Sequence, residues 1–104
     1  MQHTKTPWRV GAPSQMGSVV ADEPVPEIGG SDAVEHYGGH LIAESIAPRN
    51  AEFIVRACNA HDQMVAALLV ADKFMSGFEG DEMQEGIDTK ITQIRRALAA
   101  AGAA

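Results

Sequence analysis

The placement of proline and alanine divides the chain at residue 48. All five prolines and six of the ten glycines lie at or before Pro48, whereas twelve of the seventeen alanines follow it. Proline cannot donate to a helix or sheet ladder and glycine punctuates turns, while alanine has the highest helix propensity. The stretch 1–48 is therefore read as short strands and loops, and 49–104 as helix, within a single domain of 104 residues. So much alanine leaves little bulk for a core. Val, Ile, Leu and Phe together number 22, close to the range in which a chain buries barely enough apolar surface to fold alone.

Four short apolar runs in the first half are candidate strands: Trp8-Arg9-Val10, Ser18-Val19-Val20-Ala21, Val25-Pro26-Glu27-Ile28, and His40 through Ile46. Pro26 pushes its run toward a sheet edge, because it has no N–H for a ladder. In the last run Ile42, Glu44 and Ile46 alternate with Leu41, Ala43 and Ser45, so neither face is cleanly polar. Gly29-Gly30 and Gly38-Gly39 bracket an excursion between the third and fourth runs, and both pairs suit tight turns or close backbone approach. Strands this short and this closely spaced leave no room for crossovers, which predicts an antiparallel meander of three to four strands.

From Asn50 to Met75 the period becomes helical. Ala51, Ile54, Val55, Cys58, Val65, Leu68 and Leu69 fall along one side, and Phe53, Ala57, Ala60, Met64, Ala67, Ala71 and Met75 widen it into a broad apolar face. Pro48 suits the first turn of this helix. Asn59 and Asp62 are poor interior residues, which predicts a bend at 59–62. After a loop over Ser76–Gly80, Asp81 followed by Gln84 has the form of a capping box, predicting a second, shorter helix from Asp81. Met83, Ile87, Ile91, Ile94 and Leu98 then recur at spacings of four and three, a seam for the long helix or for a second copy in a homodimer. The fold class is α+β: a small meander, a long helix and a shorter C-terminal helix.

The formal charge of −6 works against binding a phosphate backbone or an anionic membrane surface, both of which need clustered Lys and Arg. One cysteine cannot make an internal disulfide framework or a four-cysteine zinc site. No stretch approaches the roughly 20 apolar residues of a membrane span, and the first residues lack the apolar core of a secretory signal. A cytoplasmic location is expected.

Candidate chemistry is sparse. His36, His40 and His61 are the residues from which a metal site would be built, but Gly38-Gly39 separates the first two and the third lies on another element, so no metal or cofactor is expected. Cys58 reads as a small core residue. His61-Asp62 are adjacent on a helix and point in different directions, so no triad is assigned and no enzymatic activity is expected. The acidic cluster Glu79, Asp81, Glu82, Glu85 and Asp88 holds five negative charges and no positive one over ten residues, a candidate contact for a basic partner surface. An alternative ligand site would use His36, Tyr37, His40, Arg49 and Arg56, with Tyr37 stacking on a base and an arginine pairing with phosphate.

Thr6-Pro7-Trp8-Arg9-Val10, followed by Asn50-Ala51-Glu52-Phe53-Ile54-Val55-Arg56-Ala57-Cys58-Asn59-Ala60, resembles small phage and prophage proteins. These open Thr-Pro-(Gly-Pro)-Trp and later carry Asn-Ala-x-x-Ile-Val-x-x-x-Asn-Ala. Val19-Val20-Ala21-Asp22 and Leu41-Ile42-Ala43-Glu44 look like the short strand segments of that group. The resemblance covers about residues 4–70, lacks the Gly-Pro insertion before Trp8, and carries over no site residue. It implies an accessory protein of mobile elements. The function expected on that ground is a non-enzymatic antagonist of a bacterial antiviral defence, acting by contact with a host defence protein in the style of anti-CRISPR proteins. A sponge for a nucleotide immune signal and a self-associating structural or regulatory component are the alternatives.

Overall fold

The computed structural model describes residues 2–26 and 33–103. The chain divides into two compact units, Met1–Ala60 and His61–Ala104, so the boundary falls twelve residues beyond the change in composition.

The first unit is built on an antiparallel sheet of order β1-β2-β3, with β1 at Trp8–Val10, β2 at Val19–Ala21 and β3 at His40–Ala43. Trp8 faces Ala21 and Val10 faces Val19, in the hairpin register of an apolar pair of strands. The middle strand is the core, with Val19, Val20 and Ala21 wholly buried and Ser18 beside them satisfied by the Gln15 carbonyl at 2.6 Å. Val19 faces Ala43 but Val20 faces Leu41, so Ile42 is an extra residue in β3. That bulge explains the run without a clean polar face, since a bulge changes which side a following residue points to. The third candidate strand is not a strand at Val25 and Pro26, as a residue without an N–H would predict, and Glu27 and Ile28 lie outside the described residues.

Between β2 and β3 the described residues include a short helix, α1, Ala33–Tyr37. It stops at Gly38, whose φ of 79° is left-handed, while the N–H groups of Gly38 and Gly39 both donate to the Val34 carbonyl at 2.9 and 3.0 Å. Gly39 then passes so close to β2 that a Cβ there would sit 2.9 Å from Val20 Cγ2. The second glycine pair thus serves both purposes expected of it; Gly29-Gly30 lie outside the described residues. Arg9 fastens this corner, donating to the Asp22 carboxylate and, at 2.7 Å, to the Gly38 carbonyl.

The helix α2 runs from Pro48 to Ser76. It is helical throughout 59–62, so no break occurs where the sequence predicted a bend. Asn59 has a different purpose. Its side-chain amide brackets one residue of β1: Oδ1 accepts the Trp8 N–H at 2.6 Å and Nδ2 donates to the Trp8 carbonyl at 2.7 Å. β1 pairs with β2 on one side only, and this amide stands where a further strand would bond.

The broad apolar face expected for α2 is not buried as a whole. Burial picks out Ala51, Ile54, Cys58, His61, Val65, Leu68, Asp72 and Met75, at alternating spacings of three and four, all buried or half-buried. Phe53, Ala57, Ala60, Met64, Ala67, Ala71 and Phe74 form a second stripe with the same alternation, of which only Ala60 and Ala71 are even half-buried. At about 100° per residue the two stripes lie roughly 100° apart around the helix.

In the second unit α2 is followed by a chain of turns and by α3, Ile87–Ala100. The helix starts six residues later than the capping-box signature predicted. Gly86 takes φ 75°, a conformation that ends one set of turns and opens the helix. Met83 is consequently not part of the helical seam, whereas Ile91 and Leu98 are buried and Ile87 and Ile94 half-buried. Arg95 of α3 reaches Asp72 of α2 at 3.0 Å, and Ala101 at the end of α3 lies near enough to His61 to influence its titration, so the two run antiparallel.

Replacing Asn59 by leucine keeps helix propensity but removes both bonds to Trp8. The expected loss is about 1–2 kcal/mol, or several degrees in melting temperature for a domain of this size. Asn59→Asp keeps the acceptor for the Trp8 N–H but sets a carboxylate oxygen against the Trp8 carbonyl, and should lose at least as much. Thermal melts, with hydrogen exchange read at the Trp8 N–H, check both.

Candidate functional site

The acidic cluster lies on the turns between α2 and α3, where its five carboxylates divide into two groups. Three build the loop. Asp81 accepts the Met83 N–H at 2.9 Å, Asp88 accepts the Gly80 N–H at 3.0 Å, and Glu79 pairs with Arg95 at 3.1 Å. Successive turn bonds complete it: Asp81 N–H to the Phe78 carbonyl, Gln84 to Asp81 and Ile87 to Gln84, at 2.9–3.2 Å. The capping-box residues are therefore used locally, with the Asp81 side chain bonding two residues ahead as aspartate does in turns.

Arg95 was not visible as part of this cluster, because it follows Glu79 by sixteen residues. Its guanidinium also reaches Asp72 at 3.0 Å and the Ser76 hydroxyl at 3.2 Å. Glu79 first and Asp72 second favour its charged form. These groups are partly exposed, so the network fixes geometry more than it adds stability.

Glu82 and Glu85 make no hydrogen bond or ion pair among the described residues, and both are exposed. Between them stands Met83, 88% exposed. The tip Glu82-Met83-Gln84-Glu85 is thus an apolar side chain with a carboxylate on either side, carried on a hydrogen-bonded loop. The sequence pattern assigned Met83 to a helix, and only the glycines at 80 and 86 hinted otherwise.

The alternative ligand residues lie on three elements of the first unit. His36 and Tyr37 are on α1, His40 opens β3 and pairs with Ala21, and Arg49 and Arg56 are exposed on α2. No side-chain hydrogen bond joins any two of the five among the described residues, although the His36 and Tyr37 rings meet edge to face at 4.8 Å. His36 lies 3.0 Å from Gln15. Tyr37 donates to the Glu44 carboxylate, and that bond raises its phenol above the ordinary 10.0. A carboxylate at this position opposes a phosphate.

Among the described residues no three His, Cys, Asp or Glu side chains are grouped to hold a metal ion. Cys58 is half-buried rather than fully enclosed. His61 and Asp62 are not kept apart by adjacency, since Nδ1 and Oδ1 approach to 3.0 Å. No helix of the described residues is long and apolar enough to cross a membrane.

His61 is raised above its ordinary 6.5, chiefly by Asp62 and next by the Ala101 carbonyl, against a desolvation that lowers it. A positive charge there also suits the C-terminal end of α3. A group whose folded value is raised stabilises fully below its unfolded value, and that stabilisation is lost as pH rises through the folded value. The melting temperature should therefore fall as pH is raised from below 6.5 through the raised value, and His61→Gln should show a shallower fall over the same window. Parallel melting curves for the two proteins would remove His61 as the source. Compared with protein-family models, with curated proteins and with solved structures, the chain matches none.

Proposed function

We propose that this chain is a non-enzymatic binding protein that antagonises a bacterial antiviral defence by direct contact with a host protein, in the manner of anti-CRISPR inhibitors. The observation that carries this reading is the loop tip, where Met83 projects between the unpaired carboxylates of Glu82 and Glu85. Exposed methionine adapts to irregular apolar recesses. Flanking charge governs encounter and choice of partner more than final affinity. The partner that fits is a protein with a basic rim around an apolar recess, including a surface that otherwise holds nucleic acid. The phage-like motifs over residues 4–70 support the setting, a phage or prophage product acting in the bacterial cytoplasm.

Phage plating on isogenic hosts, each carrying one defence system, tests this with and without the protein expressed. Rescue is expected in one strain, which names the pathway. Met83→Ala should weaken capture of the target by about tenfold or more, as loss of an apolar anchor does. The combination Glu82→Lys, Met83→Ala and Glu85→Lys should abolish rescue with the melting temperature unchanged. Retained rescue by that variant would remove the loop tip from the mechanism. With expression verified, plating that improves in no strain would remove the counter-defence reading.

A further inference from the structure

Resting on the loop-tip reading and adding its regulation, we propose that Met83 is a site of reversible oxidation, whose sulfoxide turns the tip from a binding surface into a non-binding one. Oxidation of sulfur side chains follows their exposure. Among the described methionines Met83 is the most open, 88% exposed against 54% for Met64 and 45% for Met16, with Met75 half-buried. Met64 and Met75 also lie on α2, where a long side chain lies back over the preceding turn of its own helix. Met83 stands on a turn and has no such cover. The other sulfur, Cys58, is half-buried on α2 and belongs to the first unit.

Hydrogen peroxide is an oxidant of the right class. One of its oxygens passes to the Met83 sulfur: the O–O bond breaks, an S=O bond forms, the sulfur gives up two electrons and the peroxide leaves as water. The return step takes two thiols. The S=O bond breaks, its oxygen leaves as water, the thioether is restored and the thiols become a disulfide, which is the chemistry of methionine sulfoxide reductases.

Oxidation changes the tip and not the fold. A sulfoxide replaces a flexible apolar side chain by a polar one, and a polar group placed in an apolar recess without a hydrogen bond is costly. Ionised Glu82 and Glu85 accept hydrogen bonds and donate none, so neither partners the sulfoxide oxygen, which stays in water. The turns are held by groups that oxidation leaves alone: the Met83 N–H on Asp81 at 2.9 Å, the Gly80 N–H on Asp88 at 3.0 Å and Glu79 on Arg95 at 3.1 Å. The atom that anchors a partner is thus the atom that the oxidant reaches.

The first arm of the test needs no partner. The purified full chain is treated with a graded series of hydrogen peroxide and mapped by peptide mass. Met83 should gain oxygen at the rate of a methionine in an unstructured peptide, ahead of Met64, Met16 and Met75. Protein oxidised at Met83 alone should melt where the untreated protein does, and a methionine sulfoxide reductase with a thiol should restore the starting mass. Met64 or Met16 reacting as fast, or a lower melting temperature from oxidation at Met83 alone, would overturn the proposal. The second arm is plating under peroxide in the defence strain that the chain rescues, with and without that host's methionine sulfoxide reductases. Rescue should fall about tenfold where the reductases are missing, as for loss of an apolar anchor. Met83→Leu, at whatever level it rescues, should show no difference between the two hosts. An equal dependence on the reductases in both chains would overturn the switch. Failure of the first arm with rescue intact removes this proposal alone; rescue in no strain removes the counter-defence reading and the switch with it.

Discussion

The amide of Asn59 on Trp8 is the bond on which the first unit turns. A three-stranded sheet with strands of three and four residues has two open edges and few ladder bonds. Such a sheet is marginal unless something packs on it or closes an edge. Asn59 offers a carboxamide, which presents a donor and an acceptor in the spacing of a peptide group, and presents them from a helix that cannot itself join a ladder. Through this contact a strand near the N-terminus and a helix fifty-one residues later become one structure. Trp8 and Asn59 stand in two stretches of sequence far apart along the chain, and strand residue and helix residue are a bonded pair.

The second unit uses polar groups in another way. Its loop is not a solvated run of like charges. Asp81 and Asp88 hold backbone N–H groups, and Glu79 is held by an arginine from the following helix. Repulsion among the carboxylates is thereby reduced where the chain must turn tightly, and concentrated at the tip where it need not. A loop fixed in this way loses little freedom on meeting a partner, which favours affinity through pre-organisation.

The strands and helices were largely legible from residue types. Val19 to Ala21 and the alanine-rich second half follow propensity and period closely, and the structure places β1, β2 and α2 where those patterns put them, with β3 over the first four residues of its run. Three things were not legible, for three physical reasons. The start of α3 was misplaced because a capping box and an Asx turn share the same first residue, and only the left-handed Gly86 distinguishes them. The helix runs unbroken through Asn59, whose purpose was not legible because propensity describes a residue's cost to its own helix and not its gain to a distant strand. The width of the buried face of α2 was overestimated because apolar periodicity marks which residues are apolar and not which of them the rest of the chain covers, and only one of the two stripes is covered. Of the candidate site, the acidic residues were evident and Met83 was not, since its spacing to Ile87 imitates a helical repeat.

The two stripes of α2 also set a rule for how its length can change. One residue turns a helix by about 100°, which is also roughly the angle between the inner and outer stripes. A single-residue insertion between Ala51 and Met75 would therefore bring the downstream part of one stripe onto the line of the other. Phe74 and Met64 would be carried inward, to positions now filled by Met75 and Val65, without any change of composition. The turns from Gly77 to Gly86 have no such phase to keep. Length variation in a chain of this design is thus expected to collect in the acidic loop and to spare the long helix, which can accept whole heptads but not single residues.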